Sequence, residues 1–252
     1  MQDRGPAAYV AEFIGTFMLV FMITAVVSLY VVPPSPQVPV QPFIDFSVIG
    51  LVHVFVLFLI VQTLAIVSGA HVNPAVTVAF MAIRRIKPPD AAIYIVVQLA
   101  GGILGALLTK ALLSDEGEAV NYGATLVSDR LEGDIFPGMI AELVGTFFLV
   151  WAYVGVLANP AGLREWAGLV IGGTLGLVVM VFAPLTGAGV NPARSFGPAL
   201  VSGEFGGAGD FIVVYVLGPV IGALLAAGIY FYMFILPGHR GARGTEGTEP
   251  VG

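Results

Sequence analysis

Two ten-residue stretches limit what this chain can become. Ser68-Gly69-Ala70-His71-Val72-Asn73-Pro74-Ala75-Val76-Thr77 has a twin in Thr186-Gly187-Ala188-Gly189-Val190-Asn191-Pro192-Ala193-Arg194-Ser195. Each passes from small residues through Asn-Pro-Ala into a short apolar run. Asn is a favoured helix N-cap and Pro is favoured at the first helical position, so each twin predicts a helix that starts at its Asn. Neither helix can be long. The stretch from Arg84 to Pro89 stops the first after Ile83, and Ser202-Gly203 stops the second. At a rise of about 1.5 Å per residue, roughly ten residues reach about 15 Å, half of a bilayer core of about 30 Å.

Composition says that a bilayer is the right ruler. Of the 252 residues 58% are hydrophobic and 10% are charged, and the mean hydropathy is +0.96. Soluble domains carry about 25% charged residues, so the chain reads as a polytopic membrane protein. Half-length helices at membrane depth are tolerated only where they are buried in protein or line a water-filled cavity. A pair of them at matching positions of two halves points to a transport site. Cysteine is absent, which excludes disulfides and thiol chemistry. No basic tract suggests nucleic acid. The net charge of −6 is divided between two faces of a membrane and says little about partners. The first apolar run has no small-residue cleavage site after it and is expected to be a retained span.

The spans are expected at about 7–32, 46–68, 88–113, 136–157, 166–185 and 210–236, with the half-helices between the second and third and between the fifth and sixth. Five prolines make 33–45 an extended, non-helical loop. Residues 114–135 form a polar, acidic connecting loop, and the Gly-rich, charged segment 237–252 is expected to be a disordered tail. A third triplet, Asn159-Pro160-Ala161, is followed by Gly162-Leu163-Arg164-Glu165 and not by an apolar run, so it reads as a plain turn. The whole is one all-α domain of two repeats, 7–113 and 136–236.

The repeats match in detail. Ala11-Glu12-Phe13-Ile14-Gly15-Thr16-Phe17 corresponds to Ala141-Glu142-Leu143-Val144-Gly145-Thr146-Phe147, and the Asn-Pro-Ala boxes lie 118 residues apart (191 − 73). An odd number of spans per repeat inverts the second repeat in the membrane. The half-helices then enter from opposite faces and meet N-terminus to N-terminus. Arg4, Arg84, Arg85, Lys87, Arg164, Arg240 and Arg243 fall on one side, against Lys110, Arg130 and Arg194 on the other. That excess puts both termini in the cytoplasm. Arg outnumbers Lys eight to two, a bias that points to a GC-rich prokaryotic source.

Two Asn-Pro-Ala boxes, the second followed by Arg194, resemble the aquaporin (major intrinsic protein) family, and the resemblance covers about residues 7 to 236. It implies a cofactor-free, metal-free and non-enzymatic channel. The solutes would be water and small neutral molecules such as ammonia, urea, hydrogen peroxide or glycerol. It also implies a homotetramer in the plasma membrane with one pore per subunit. Within the boxes, Asn73, Pro74, Ala75, Asn191, Pro192 and Ala193 would form the pore centre. A capping Asn uses its oxygen on backbone N–H groups, which leaves the NH₂ free to donate. Two such donors would hold a passing water and break the proton wire, and the half-helix N-termini repel cations.

In the family the Arg after the second box forms an outer filter with three further positions, which fall here on His53, Val179 and Ala188. Orthodox water channels usually carry Phe at the His53 position and His at the Val179 position. The set His53, Val179, Ala188, Arg194 instead resembles the plant tonoplast intrinsic proteins and implies a wider, less polar filter. Glycerol facilitators usually have Asp after the Arg, where this chain has Ser195. His71 matches a family histidine of the cytoplasmic vestibule. Glu12 and Glu142 are acids inside spans, expected to accept the N–H groups of the re-entrant loops. Two other classes stay open. A proton-coupled secondary transporter would use those acids as relays, and a structural membrane protein would keep the pore closed.

Overall fold

The computed structural model describes residues 5–31 and 45–237. The proline-rich loop, apart from Asp45, and the tail beyond Pro237 lie outside the described residues. Within them the fold is helical, and six helices are long and apolar enough to cross a membrane. The first is α1 (Pro6–Tyr30) and the second is α2 (Phe46–Leu64), capped by Asp45 Oδ1 on the Ser47 and Val48 N–H groups. The half-helix α3 (Pro74–Ala82) precedes α4 (Pro88–Leu112) and the short α5 (Ser114–Glu118). The second repeat comprises α6 (Ile135–Tyr153), α7 (Ala167–Thr186) and the half-helix α8 (Pro192–Ser202), followed by α9 (Ala208–Ile212) and α10 (Gly218–Tyr230).

Both half-helices begin at Pro, as the boxes predict, and have 9 and 11 residues. The second span is shorter than expected. It ends at Leu64, not Ser68, because the chain turns through Gly69 (φ 91°) and Ala70 (φ 47°) to reach the box. The connecting loop carries α5 and helical turns at Asn121–Gly123 and Asp129–Leu131.

Three segments of π-helix fall in two spans. Val154–Ala158 ends the span of α6, Val213–Leu217 joins α9 to α10, and Phe231–Ile235 follows α10. The second has a local cause. Pro219 has no N–H to give the Tyr215 carbonyl, and the Gly218 N–H reaches back five residues to the Val213 carbonyl.

Close helix contacts hold the bundle. The helices pair as α1 with α4, α6 with α10, and α2 with α7. Glycines sit at each crossing. A Cβ on Gly101 would stand 2.4 Å from the Phe13 carbonyl oxygen, one on Gly222 2.1 Å from that of Leu143, and one on Gly172 2.4 Å from that of Val54. Lipid tails are as apolar as Leu, so such close backbone packing, more than hydrophobic burial, binds the spans. Gly173, the neighbour of Gly172 in α7, meets nothing within 4 Å.

The half-helices cross over between repeats. α3 packs on α10 and α8 packs on α4. A Cβ on Gly197 of α8 would lie 2.4 Å from the Gly102 carbonyl oxygen of α4. Each repeat therefore clamps the other's re-entrant segment at the centre of the bundle. Long apolar side chains such as Phe55, Val96, Leu177 and Met233 stand exposed on the outer faces, where lipid would meet them.

Candidate functional site

The two re-entrant loops are held by the paired acids. Glu12 Oε1 accepts the His71 N–H at 2.9 Å and Oε2 accepts that of Val72 at 2.6 Å. Glu142 does the same for Gly189 (2.8 Å) and Val190 (2.5 Å). Both acids are fully buried. Three residues on, Gly15 and Gly145 leave room for the Val72 and Val190 side chains, whose Cγ1 atoms would sit 2.6 Å and 2.8 Å from an added Cβ. One Glu-x-x-Gly turn thus supplies both the acceptor and the space. The first repeat adds Gln98, which donates to Glu12 Oε2 at 2.7 Å and to Thr77 Oγ at 3.0 Å. The second repeat uses Thr186, whose hydroxyl donates to Glu142 Oε1 at 2.7 Å.

These bonds hold an unusual backbone. Ala70 (φ 47°) and Val72 (φ 41°) are mirrored by Ala188 (φ 46°) and Val190 (φ 43°), all in the left-handed region. For a β-branched Val this conformation is an outlier and costs about 1–3 kcal/mol. The chain keeps it where the carboxylates fix the N–H groups.

The asparagines meet at the centre. Asn73 Oδ1 caps α3 on the Ala75 N–H, and Asn191 Oδ1 caps α8 on those of Ala193 and Arg194. Each NH₂ is not wholly free. Asn73 Nδ2 donates to the Val190 carbonyl oxygen and Asn191 Nδ2 to that of Val72, both at 2.8 Å. Pairing across the repeats uses one N–H of each amide and leaves one to donate elsewhere.

A small chamber of about 20 Å³ lies at this junction. That volume has room for about one water molecule. Asn73, Asn191, His53, His71, Ala188 and Arg194 line it, as do Leu57, Leu149, Tyr153 and Leu175. Pro74, Ala75, Pro192 and Ala193 are buried behind the asparagines. Val179 is buried but is not on this wall; Leu175, one turn earlier on α7, is.

Arg194 is buried, and its guanidinium donates to the Gly123 carbonyl oxygen at 2.8 Å. Gly123 lies in a turn where Asn121 (φ 53°), Tyr122 (φ 50°) and Gly123 (φ 71°) are all left-handed. His71 contacts Thr77 Oγ through Nδ1 at 3.2 Å and packs against the rings of Phe80 and Tyr94.

Sequence reasoning missed Gly123, Gln98, Tyr153 and Leu175. Gln98 had a signal, as a lone amide in an apolar span is a functional or bracing residue by default. Tyr153 donates its OH to the Ala70 carbonyl oxygen at 2.8 Å, and it and Leu175 look like ordinary core. Gly123 acts through its backbone, which no residue type announces.

Six spanning helices, two half-helices and a narrow lane between their N-termini define a channel-type membrane protein. The family model for the major intrinsic proteins matches residues 5–230. A glycerol uptake facilitator protein-like 6 of Lactiplantibacillus plantarum is 38% identical over 87% of this chain and 94% of its own. Nodulin-26 of Glycine max is 38% identical over 88% and 75%, and aquaporin AqpM of Methanothermobacter marburgensis 31% over 89% and 96%. The aquaglyceroporin of Plasmodium falciparum superposes with a TM-score of 0.73 at 20% identity, covering 92% of this chain and 97% of that one. This chain belongs to the major intrinsic protein family.

Proposed function

We propose that the protein is a passive channel for water and small neutral solutes that excludes ions and protons. The observation that carries it is the chamber where Asn73, Asn191 and Arg194 line one narrow lane. Relatives named as aquaporins and as a glycerol facilitator agree with it. At the centre the remaining N–H of each Asn faces a passing oxygen, and the opposed N-termini of α3 and α8 add about half a positive charge each. A water held by both donors cannot pass a proton along the file. Arg194 adds a full positive charge against cations, and His53, Ala188 and Val179 complete the filter around it. Val179 is off the chamber wall itself but follows Leu175, which lines it, by one helical turn on the same face of α7.

A proton-coupled transporter finds less support. The oxygens of Glu12 and Glu142 are taken up by loop N–H groups and by Gln98 and Thr186.

In the membrane the protein would be a homotetramer in the plasma membrane with lipid around its rim and both termini in the cytoplasm. Arg85 donates to the Ala158 carbonyl oxygen, which ties the basic α3–α4 link to the α6–α7 link at one end of the bundle. Osmotic shrinkage of proteoliposomes tests the function. Fast, unsaturated water flux with a low activation energy is expected. Saturable flux coupled to a pH gradient, or none, would reject the channel.

A further inference from the structure

One cavity takes no part in the lane. It lies where the loop before α6 meets the turn from α8 to α9. Three spans precede Ile135 and five precede Glu204, so this is the face opposite the start of α1. The cavity holds about 320 Å³, the size of a small-ligand pocket. It shares no lining residue with the chamber at the Asn junction.

Three aromatic rings shape its wall. Phe205 and Phe211 meet at 77° with centroids 5.2 Å apart, which makes a corner, and Tyr215 follows Phe211 at 5.5 Å. Phe211 and Tyr215 are buried. The Tyr215 OH donates to the Thr186 carbonyl oxygen at 2.9 Å, so that ring is anchored at its far end. Glu204 and Asp210 stand on the same wall. Glu204 Oε1 accepts the Gly206 N–H at 2.8 Å. Among the described residues neither carboxylate has a cationic partner. Glu132 and Asp134 flank Gly133, which also lines the cavity, and Arg130 is the one basic residue of that loop.

We propose that this cavity binds a small organic ammonium ion, a positive charge clothed in carbon. The rings call for apolar groups, and their faces attract a cation. The carboxylates call for positive charge. An organic ammonium ion meets both demands in one molecule. Other occupants meet only one of them. An anion is repelled by the acids. A hydrocarbon chain would satisfy the rings but press against two carboxylates. Calcium takes about six to eight oxygen ligands, and no three His, Cys, Asp or Glu side chains among the described residues come together to hold a metal. The site is separate from the conducting lane and goes beyond the channel reading.

Choline is the probe. It is titrated at constant ionic strength into the purified full chain in dodecyl maltoside, and binding is read by saturation-transfer NMR. Dimethylbutanol, the neutral alcohol in which carbon replaces the choline nitrogen, is titrated beside it. Choline should saturate and bind at least about fivefold more tightly than the alcohol. Asp210→Asn and Phe205→Leu should each weaken choline binding by about two- to fivefold. Neither residue lines the lane, so both variants should keep wild-type water flux in proteoliposomes. Asp210 is exposed, and Glu204→Gln keeps an acceptor for the Gly206 N–H, so these two carry the test if Phe205→Leu does not fold. Choline that fails to saturate overturns the proposal. Equal affinity for choline and the alcohol overturns it too, because charge then plays no part. Unchanged affinity in both Asp210→Asn and Glu204→Gln places the choline elsewhere and overturns it as well. Displacement of choline by equimolar calcium rejects it in favour of a metal site.

Discussion

At the scale of residues, the paired acids do the most with the least. Glu12 and Glu142 each satisfy two N–H groups in a segment that has no helical partners of its own. Glu142→Gln keeps an acceptor for one of them and should retain part of the water flux. Glu142→Leu strands both, at about 1–3 kcal/mol per group. It should lower the thermal unfolding temperature in detergent and abolish flux. A Leu variant as stable as the wild type would show that the loops are held by something else. Arg194 is the residue to remove for ion exclusion. Arg194→Val should admit a measurable proton or cation leak while water still passes, read with a pH-sensitive dye inside vesicles. Val179→His tests the proposed filter from α7. A bulky ring one turn beyond Leu175 should narrow the lane and reduce urea flux several-fold with little change for water.

At the scale of elements, the bundle depends on backbones that nearly touch. Gly222 of α10 and Gly173 of α7 make a matched pair of probes. A Cβ at 222 falls 2.1 Å from a carbonyl oxygen of α6, which is backbone and cannot step aside, whereas at 173 it meets open space. Gly222→Ala should therefore cost stability on the order of 1–3 kcal/mol from overpacking. Gly173→Ala should be neutral or stabilise by about 0.5–1 kcal/mol through helix propensity. Thermal unfolding of the two purified variants, compared side by side, checks both.

Much at this scale was legible in advance. The start of α3 and α8 followed from an Asn before a Pro, and their ends from charge, proline and glycine, because caps and breakers are local. The π-helical segments were not legible in the same way. Pro219 explains Val213–Leu217 once the register is known, but Val154–Ala158 holds only Gly155, and α4 stays regular through Gly101, Gly102 and Gly105. The turn at Asn121–Gly123 was missed because its partner, Arg194, is 71 residues away and the contact is made by a carbonyl. Residue patterns encode neighbours along a helix, not a backbone atom met across the fold.

At the scale of the whole molecule, the halves are complementary as well as similar. Each repeat lends its half-helix to the third span of the other, and the two Asn side chains cross to the opposite loop. The proposed tetramer belongs to this scale. Native mass spectrometry from mild detergent should give four copies of the 26.2 kDa chain, and a dominant monomer would argue against it. The inverted repeat was readable from Ala-Glu-x-x-Gly-Thr recurring ahead of each box, since an odd number of spans leaves no other topology. Which side chains close the lane was less readable. Val179 was reached by counting from the box, whereas the wall of the chamber shows Leu175.

The crossing of Asn73 to the Val190 carbonyl, and of Asn191 to that of Val72, also sets a timetable. A ribosome makes Asn73 first and Asn191 118 residues later (191 − 73). At about 5–20 residues per second the delay is roughly 6–24 seconds. During that interval the first re-entrant loop can lean on Glu12 and Gln98, but its amide has no mate and its half-helix has no α10 to rest on. The newborn first half is then an unfinished wall and not half of a conduit. The permeable lane is the last thing the chain completes, so a nascent protein cannot leak before it is whole.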